Sequence, residues 1–183
     1  MMSWKNTEQR YGSLSIGLHW LMLVLIAVVY FTMEFRGLFP KGTDGRELMK
    51  QTHFMLGLSI FALVWVRLIA RLIAPTPKIV PAIPAWQAIP AKLMHLALYA
   101  LMIGTPLLGW LILSAFGKPI PFFGLELPAL VAPDHDFGEQ LEHWHVRLAE
   151  AGYWLIGLHA VAGLFHHYIS RDNTLTRMLP GRD

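Results

Sequence analysis

The chemistry in this chain is carried by histidine. Nine histidines stand in 183 residues, and there is no cysteine. Disulfides, iron–sulfur clusters, cysteine-ligated zinc and a cysteine nucleophile are therefore excluded. Toward the C-terminus, steps of four and three residues link His145, Ala149, Gly152, Ile156, His159, Gly163 and His166. On a helix, fourteen residues fall about 40° short of four turns, so His145 and His159 share a face about 21 Å apart along the axis. His166 follows on that face about 10 Å further on. An imidazole in a bilayer is costly without a partner. Histidines can act as hydrogen-bonding glue between helices, but that suits one such residue better than several at matching depths.

His19 and His53 complete two couples, His19 with His159 and His53 with His145. Zinc asks for three or four ligands in a compact tetrahedron, more than either couple offers. The apolar stretches hold no carboxylate, which excludes a di-iron carboxylate site. A haem iron asks only for two axial ligands, and each couple supplies them. With both axial positions filled, such an iron is suited to electron transfer rather than dioxygen binding. Two of them at different depths would form a wire across a membrane. Gly152, Gly163, Ala149 and Gly57 would leave room for a large flat group.

The elements that must position these residues are membrane spans. Hydrophobic residues make up 55% of the chain and charged residues 15%, with mean hydropathy +0.45. A soluble domain carries about 25% charge, so a soluble globule and a disordered chain are both disfavoured. The net charge of +3 is too small and too scattered for a nucleic-acid binder. Tyr11 to Met33 is 23 residues without a charge, Leu93 to Gly117 is 25 and Ala151 to Ser170 is 20. About 20 apolar residues cross a bilayer. A fourth stretch, Gln51 to Val66, continues past Arg67 and Arg71, which can snorkel to the interface. The expectation is an all-α integral membrane four-helix bundle, a single domain over 1–183, with helices near 13–33, 52–74, 92–116 and 139–170. The first span is too long for a signal-peptide core, and no A-x-A-like site follows it, so it reads as retained.

Loop charges set an expected orientation. One side carries Lys5, Arg10, Arg67, Arg71, Lys78, Lys92, Arg171, Arg177 and Arg182. The other carries Arg36, Lys41, Arg46, Lys50, Lys118 and Arg147, with Glu126, Asp134, Asp136, Glu139 and Glu142. The positive-inside rule puts both termini in the cytoplasm. Prolines 75, 77, 81, 84 and 90 mark an extended connector, with Pro90 at or just before the first turn of the third helix. Pro106, between Gly104 and Gly109, is expected to kink that helix. The loop from Lys118 to His135 is expected to lie along the outer interface. Asp136-Phe137-Gly138-Glu139 has the form of a capping box that starts the fourth helix before the membrane.

The remaining candidates leave alternatives open. Arg67 and Arg71 could hold the propionates of an inner haem, and Arg36 or Arg147 those of an outer one, or all could be interface anchors. His166 and His95, at the cytoplasmic rim, could hydrogen-bond a quinone and feed it protons, or be solvated interface residues. His167, His135 and His143 read as surface residues. No G-x-G-x-x-G opens a βαβ unit, so no nicotinamide or flavin site is visible. Electrons must come from a small diffusible reductant or a partner protein.

The chain resembles the bacterial cytochrome b561 family over nearly its whole length. The resemblance rests on Gly17-Leu18-His19-Trp20, Met33-Glu34-Phe35-Arg36-Gly37-Leu38-Phe39-Pro40, His53, Trp144-His145, Gly152-Tyr153, Gly157-Leu158-His159-Ala160, His166-His167-Tyr168 and Asp172-Asn173-Thr174-Leu175. It implies a multi-pass protein of the bacterial inner membrane with two bis-histidine b haems held by His19, His53, His145 and His159, and a quinone at His166. The tail and the Glu-Phe-Arg-Gly segment resemble the superoxide-oxidising branch. That implies superoxide oxidised at the periplasmic side and ubiquinone reduced at the other, the activity of a superoxide:ubiquinone oxidoreductase. Arg36, Lys41 or Lys50 could then draw the anion in. Other members of the family imply an alternative, an electron relay between a partner dehydrogenase or hydrogenase and quinone.

Overall fold

The computed structural model describes residues 4–180; Arg182, counted above among the cytoplasmic cations, lies outside them. Four helices dominate: α1 (Ser13–Glu34), α2 (Asp44–Ile73), α3 (Ala85–Ala115) and α4 (His135–Phe165). A 3-10 turn, Phe35–Leu38, follows α1, and a π-helical turn, His166–Ser170, extends α4. All four helices are long and apolar enough to cross a membrane, as the apolar stretches predict. Large side chains such as Ile73, Trp154 and Val161 are exposed, as a lipid-facing surface requires.

The helix starts differ from those expected. α2 begins at Asp44 rather than near 52, because its first turns are polar helix. Thr43 accepts the amides of Arg46 and Glu47 through its carbonyl, and Asp44 and Glu47 sit at the positive end of the helix dipole. His53 therefore stands about two and a half turns inside α2 instead of opening it. α3 begins at Ala85, on the carbonyl of Pro84, and runs through Pro90, which the sequence put at or before the first turn. A proline so near the N-terminus removes one early helical bond and is accommodated. α3 is also one continuous helix through Pro106. α4 starts at His135, and its cap is Asp134, not the expected box at Asp136. The Asp134 carboxylate accepts the Phe137 amide at 3.0 Å, while Glu139 pairs with His135 at 3.6 Å.

Contacts within the chain define two units. The first comprises residues up to Trp20, Trp65–Leu101 and those from Glu150 on; the second comprises Leu21–Val64 and Met102–Ala149. Each gathers a segment of all four helices. The second unit has its core at Leu58, Leu113 and Ile120, packed by Phe54, Trp110, Phe122 and Leu127. Ile120 and Leu127 come from a hairpin, β1 (Ile120–Phe122) against β2 (Leu125–Leu127), in the loop expected to lie along the outer interface, where the sequence reading has no strand. Its two-residue turn has φ 47° at Phe123 and 85° at Gly124, both on the positive side that the strand twist of a tight hairpin demands. Trp110 donates to the Pro128 carbonyl at 3.0 Å, and Ser114 accepts the Leu130 amide at 3.1 Å.

The first unit is laced by backbone and amide hydrogen bonds. Asn6 accepts the Gly12 amide and the Ser15 hydroxyl and donates to the Pro75 carbonyl. Asn173 exchanges two bonds with Val80, at 3.0 and 2.9 Å. Arg177 donates to the Pro77 carbonyl and covers the Tyr11 ring. Trp20 donates to the Met178 carbonyl at 2.8 Å. Residues 75–84 of the proline connector form neither helix nor strand, whereas the expected connector's last residues, 85–90, belong to α3. The C-terminal strap from 172 to 178 is fastened to the connector and to α1.

Candidate functional site

In the second unit, the rings of His53 on α2 and His145 on α4 stand edge to face, with centroids 6.0 Å apart and planes at 73°. Each is oriented by a backbone carbonyl. His53 Nδ1 lies 3.2 Å from the Val29 carbonyl and His145 Nδ1 lies 2.9 Å from that of Thr105. A carbonyl only accepts, so both Nδ1 atoms carry the proton and both Nε2 atoms keep a lone pair. The Val29 oxygen also accepts the Thr32 hydroxyl at 2.7 Å. Gly109 lies beside His145, whose Cε1 would be in ordinary contact, at 3.5 Å, with a Cβ at that position. At Gly57 and Gly104 a Cβ would meet nothing within 4 Å.

In the first unit, His159 on α4 has two ring neighbours. The centroid of His19 lies 6.2 Å away and that of His95 5.5 Å away. Arg67 Nη2 stands 3.0 Å from His19 Nδ1. A guanidinium only donates, so in this arrangement His19 Nδ1 is the acceptor. Arg71 lies 5.9 Å from the centre of the Tyr99 ring, and its charge, with that of Arg177, reaches His95.

His166 is buried, at 9% exposure, rather than solvated at a rim. Its Nδ1 lies 2.5 Å from Oδ2 of Asp172, which is 6% exposed. Burial by itself would raise the Asp172 carboxyl, but hydrogen bonds from Thr174 and His166 outweigh it and hold the group below its ordinary range. Of the residues expected at the surface, His135 and His143 are exposed and His167 is half-buried beside Tyr168.

Two imidazoles flanking one metal ion at about 2 Å each bring their ring centres to about 6 Å. Both couples have that spacing. The His53–His145 couple also has the ligand tautomer, with Nδ1–H held by a second-shell carbonyl and Nε2 available. For His19 to ligate through Nε2, Nδ1 must take the proton and Arg67 must turn to another acceptor. Among the described residues no three His, Asp or Glu side chains gather to hold a metal ion, so a group needing two axial ligands fits where zinc does not.

Arg36 follows α1 in the 3-10 turn Phe35–Leu38, and Arg46 pins that turn through the Arg36 and Phe39 carbonyls. Lys41 is exposed. Sequence reasoning missed Thr105, Val29, Gly109 and the role of Asp172. Carbonyls leave no trace in residue type. The Gly109 signal was present as a glycine in an otherwise apolar span, and the Asp172 signal as a lone acid six residues beyond His166.

The family described as prokaryotic cytochrome b561 matches residues 10–181. Cytochrome b561 homolog 1 of Escherichia coli (strain K12) is 42% identical over 173 residues, covering 94% of this chain and 98% of the relative. Probable superoxide oxidase CybB of Yersinia pestis is 38% identical over 94% of this chain and 97% of its own length. Cytochrome b561 homolog 2 of Escherichia coli (strain K12) is 34% identical over 97% of this chain and 95% of its own. With four membrane-spanning helices and facing histidines, the chain belongs to the prokaryotic cytochrome b561 family of bacterial membrane proteins, which bind haem b and transfer electrons.

Proposed function

We propose that this chain is a di-haem b cytochrome of the bacterial inner membrane that oxidises superoxide and reduces ubiquinone. One haem is held by His53 and His145 and the other by His19 and His159. Both termini are cytoplasmic, and residues 1–183 act as one domain. The observation that carries this reading is the pair of imidazole couples, at 6.0 and 6.2 Å, one in each unit. Its support for the donor is the 38% identity to a relative named as a probable superoxide oxidase.

Haem b held by His53 and His145 and by His19 and His159 would supply two one-electron stores. The chain's own residues do the rest. Half-buried Arg36 and exposed Lys41 make the periplasmic approach positive and raise the encounter rate of a small anion. Arg67 and Arg71 supply cations for propionates in the first unit. His166 and His95 serve the quinone, which takes two electrons and two protons while two superoxide anions leave as dioxygen.

Stopped-flow mixing of purified holoprotein with superoxide and a short-chain ubiquinone tests this. Haem reduction well above the rate of spontaneous dismutation is expected, and falls with added salt. A rate no faster than dismutation overturns the superoxide assignment. A dehydrogenase that stays bound through gentle solubilisation would then point to a relay subunit.

A further inference from the structure

We propose that Asp172 is a positioning residue for quinone reduction, its buried carboxylate holding His166 by Nδ1 so that Nε2 delivers the proton to a quinone oxygen. This rests on the quinone reading above. The two residues are joined twice, by the 2.5 Å side-chain contact and by the Asp172 amide, which donates to the His166 carbonyl at 3.1 Å. The local backbone is built for this closure. α4 widens into the π-helical turn at His166, and Arg171 adopts φ 55°, ψ 39°, which turns the chain back on itself.

The carboxylate divides its two oxygens between two tasks. Oδ1 accepts the Thr174 amide at 2.8 Å and shapes the strap. That task needs neither Oδ2 nor a charge. Oδ2 is committed to an imidazole that is itself buried. A carboxylate so placed fixes the tautomer, aims the ring and stabilises the imidazolium from which the proton is given. Further along the same strap, Arg177 Nε is buried without a hydrogen-bond partner among the described residues. A buried donor without an acceptor among the described residues calls for one beyond them, and a quinone carbonyl has that chemistry.

The step balances. As the reduced quinone oxygen takes its proton, the Nε2–H bond breaks and an O–H bond forms. The imidazole is left neutral, with Nδ1–H still on Asp172, and draws its next proton from water. Two such transfers accompany the two electrons that two superoxide anions give up on becoming dioxygen.

The test is best run in reverse, so that the superoxide assignment does not enter it. Reduction of the haem by a short-chain ubiquinol is followed by absorbance in native holoprotein and in Asp172→Asn, Asp172→Glu and His166→Gln. Asp172→Asn retains the oxygen that accepts from Thr174. It is expected to keep its haem content and its spectrum with dithionite, while the maximal rate with ubiquinol falls by about tenfold or more. The ubiquinol KM should change little, and the solvent deuterium isotope effect should rise as proton transfer becomes limiting. Asp172→Glu is expected to recover part of the rate, and His166→Gln to be slower still. If Asp172→Asn stays within about twofold of native while His166→Gln is slow, the positioning role is wrong and the quinone reading stands. If His166→Gln is also as fast as native, the quinone reading itself falls. Loss of haem from both Asp172→Asn and Asp172→Glu would make the carboxylate a structural clip and overturn the proposal.

Discussion

At Gly109 the backbone runs beside an imidazole, with room for a Cβ and little more. A Cβ there would lie 3.5 Å from His145 Cε1, an ordinary contact, so Gly109→Ala should leave haem content unchanged. Gly109→Ile adds branched atoms that must enter the ring's space, and interior side chains have little room to yield. It should halve the haem per chain, measured as the pyridine haemochrome, because only the His53–His145 couple is displaced. Unchanged content in Gly109→Ile would show that His145 is not a ligand. Substituting His53 by alanine should remove the same haem, and the effects of the two changes should not add. On the proposed pairing His19→Ala should lower haem content and His95→Ala should not, although both rings lie within reach of His159; the reverse result would overturn the pairing. At this scale the couples themselves were legible in the sequence, because a charged or polar ring in a lipid span is costly and the period of a helix sorts such rings onto faces. The hydrogen-bond partners of those rings were not legible. Val29 and Thr105 act through carbonyls, which every residue has, and only the fold says which carbonyl is near.

Helix ends show what apolar patterning leaves out. An apolar stretch reports the thickness of a bilayer, whereas a helix ends where its backbone groups find other partners. Hence α1 matches its stretch closely, while α2 starts at Asp44 and α4 at His135, well before their apolar runs begin. The capping box read at Asp136 has the right spacing, but Asp134 comes first in the chain and takes the Phe137 amide. Its own amide is held by the Ala115 carbonyl, and Gly138 beneath it packs against the Phe116 ring. Asp134→Ala should therefore cost about 1 kcal/mol and lower the melting temperature by about 2–4 °C, with the haem spectrum unchanged. Asp136→Ala should cost much less in the same thermal melt. Equal losses would show that the helix is capped at both acids. The hairpin escaped the sequence reading because its strands are three residues each and its turn carries Phe123 before Gly124, where Asn or Asp before glycine is the recognisable signal.

Across the whole molecule, acidity should act through the strap. Because the folded Asp172 carboxyl is held below its ordinary range, its ionised form stabilises the folded strap. That contribution is fully present above the unfolded value of about 3.9 and is lost as pH falls through the folded value. Hydrogen exchange of the Asp172, Asn173 and Arg177 amides, which donate to His166, Val80 and Asn173, should accelerate relative to that of helical amides over this range. Exchange in the strap that tracks the helices at every acid pH would contradict this. The strap ties the end of the chain to the connector and to α1 through Asn173, Arg177 and the Met178 carbonyl. A nonsense mutation at codon 172 would spare every hydrophobic span and every imidazole couple. Cells carrying it should still make red membranes, yet their pigment should exchange reducing equivalents with the quinone pool sluggishly. A screen that scores colour alone would pass such a strain as wild type.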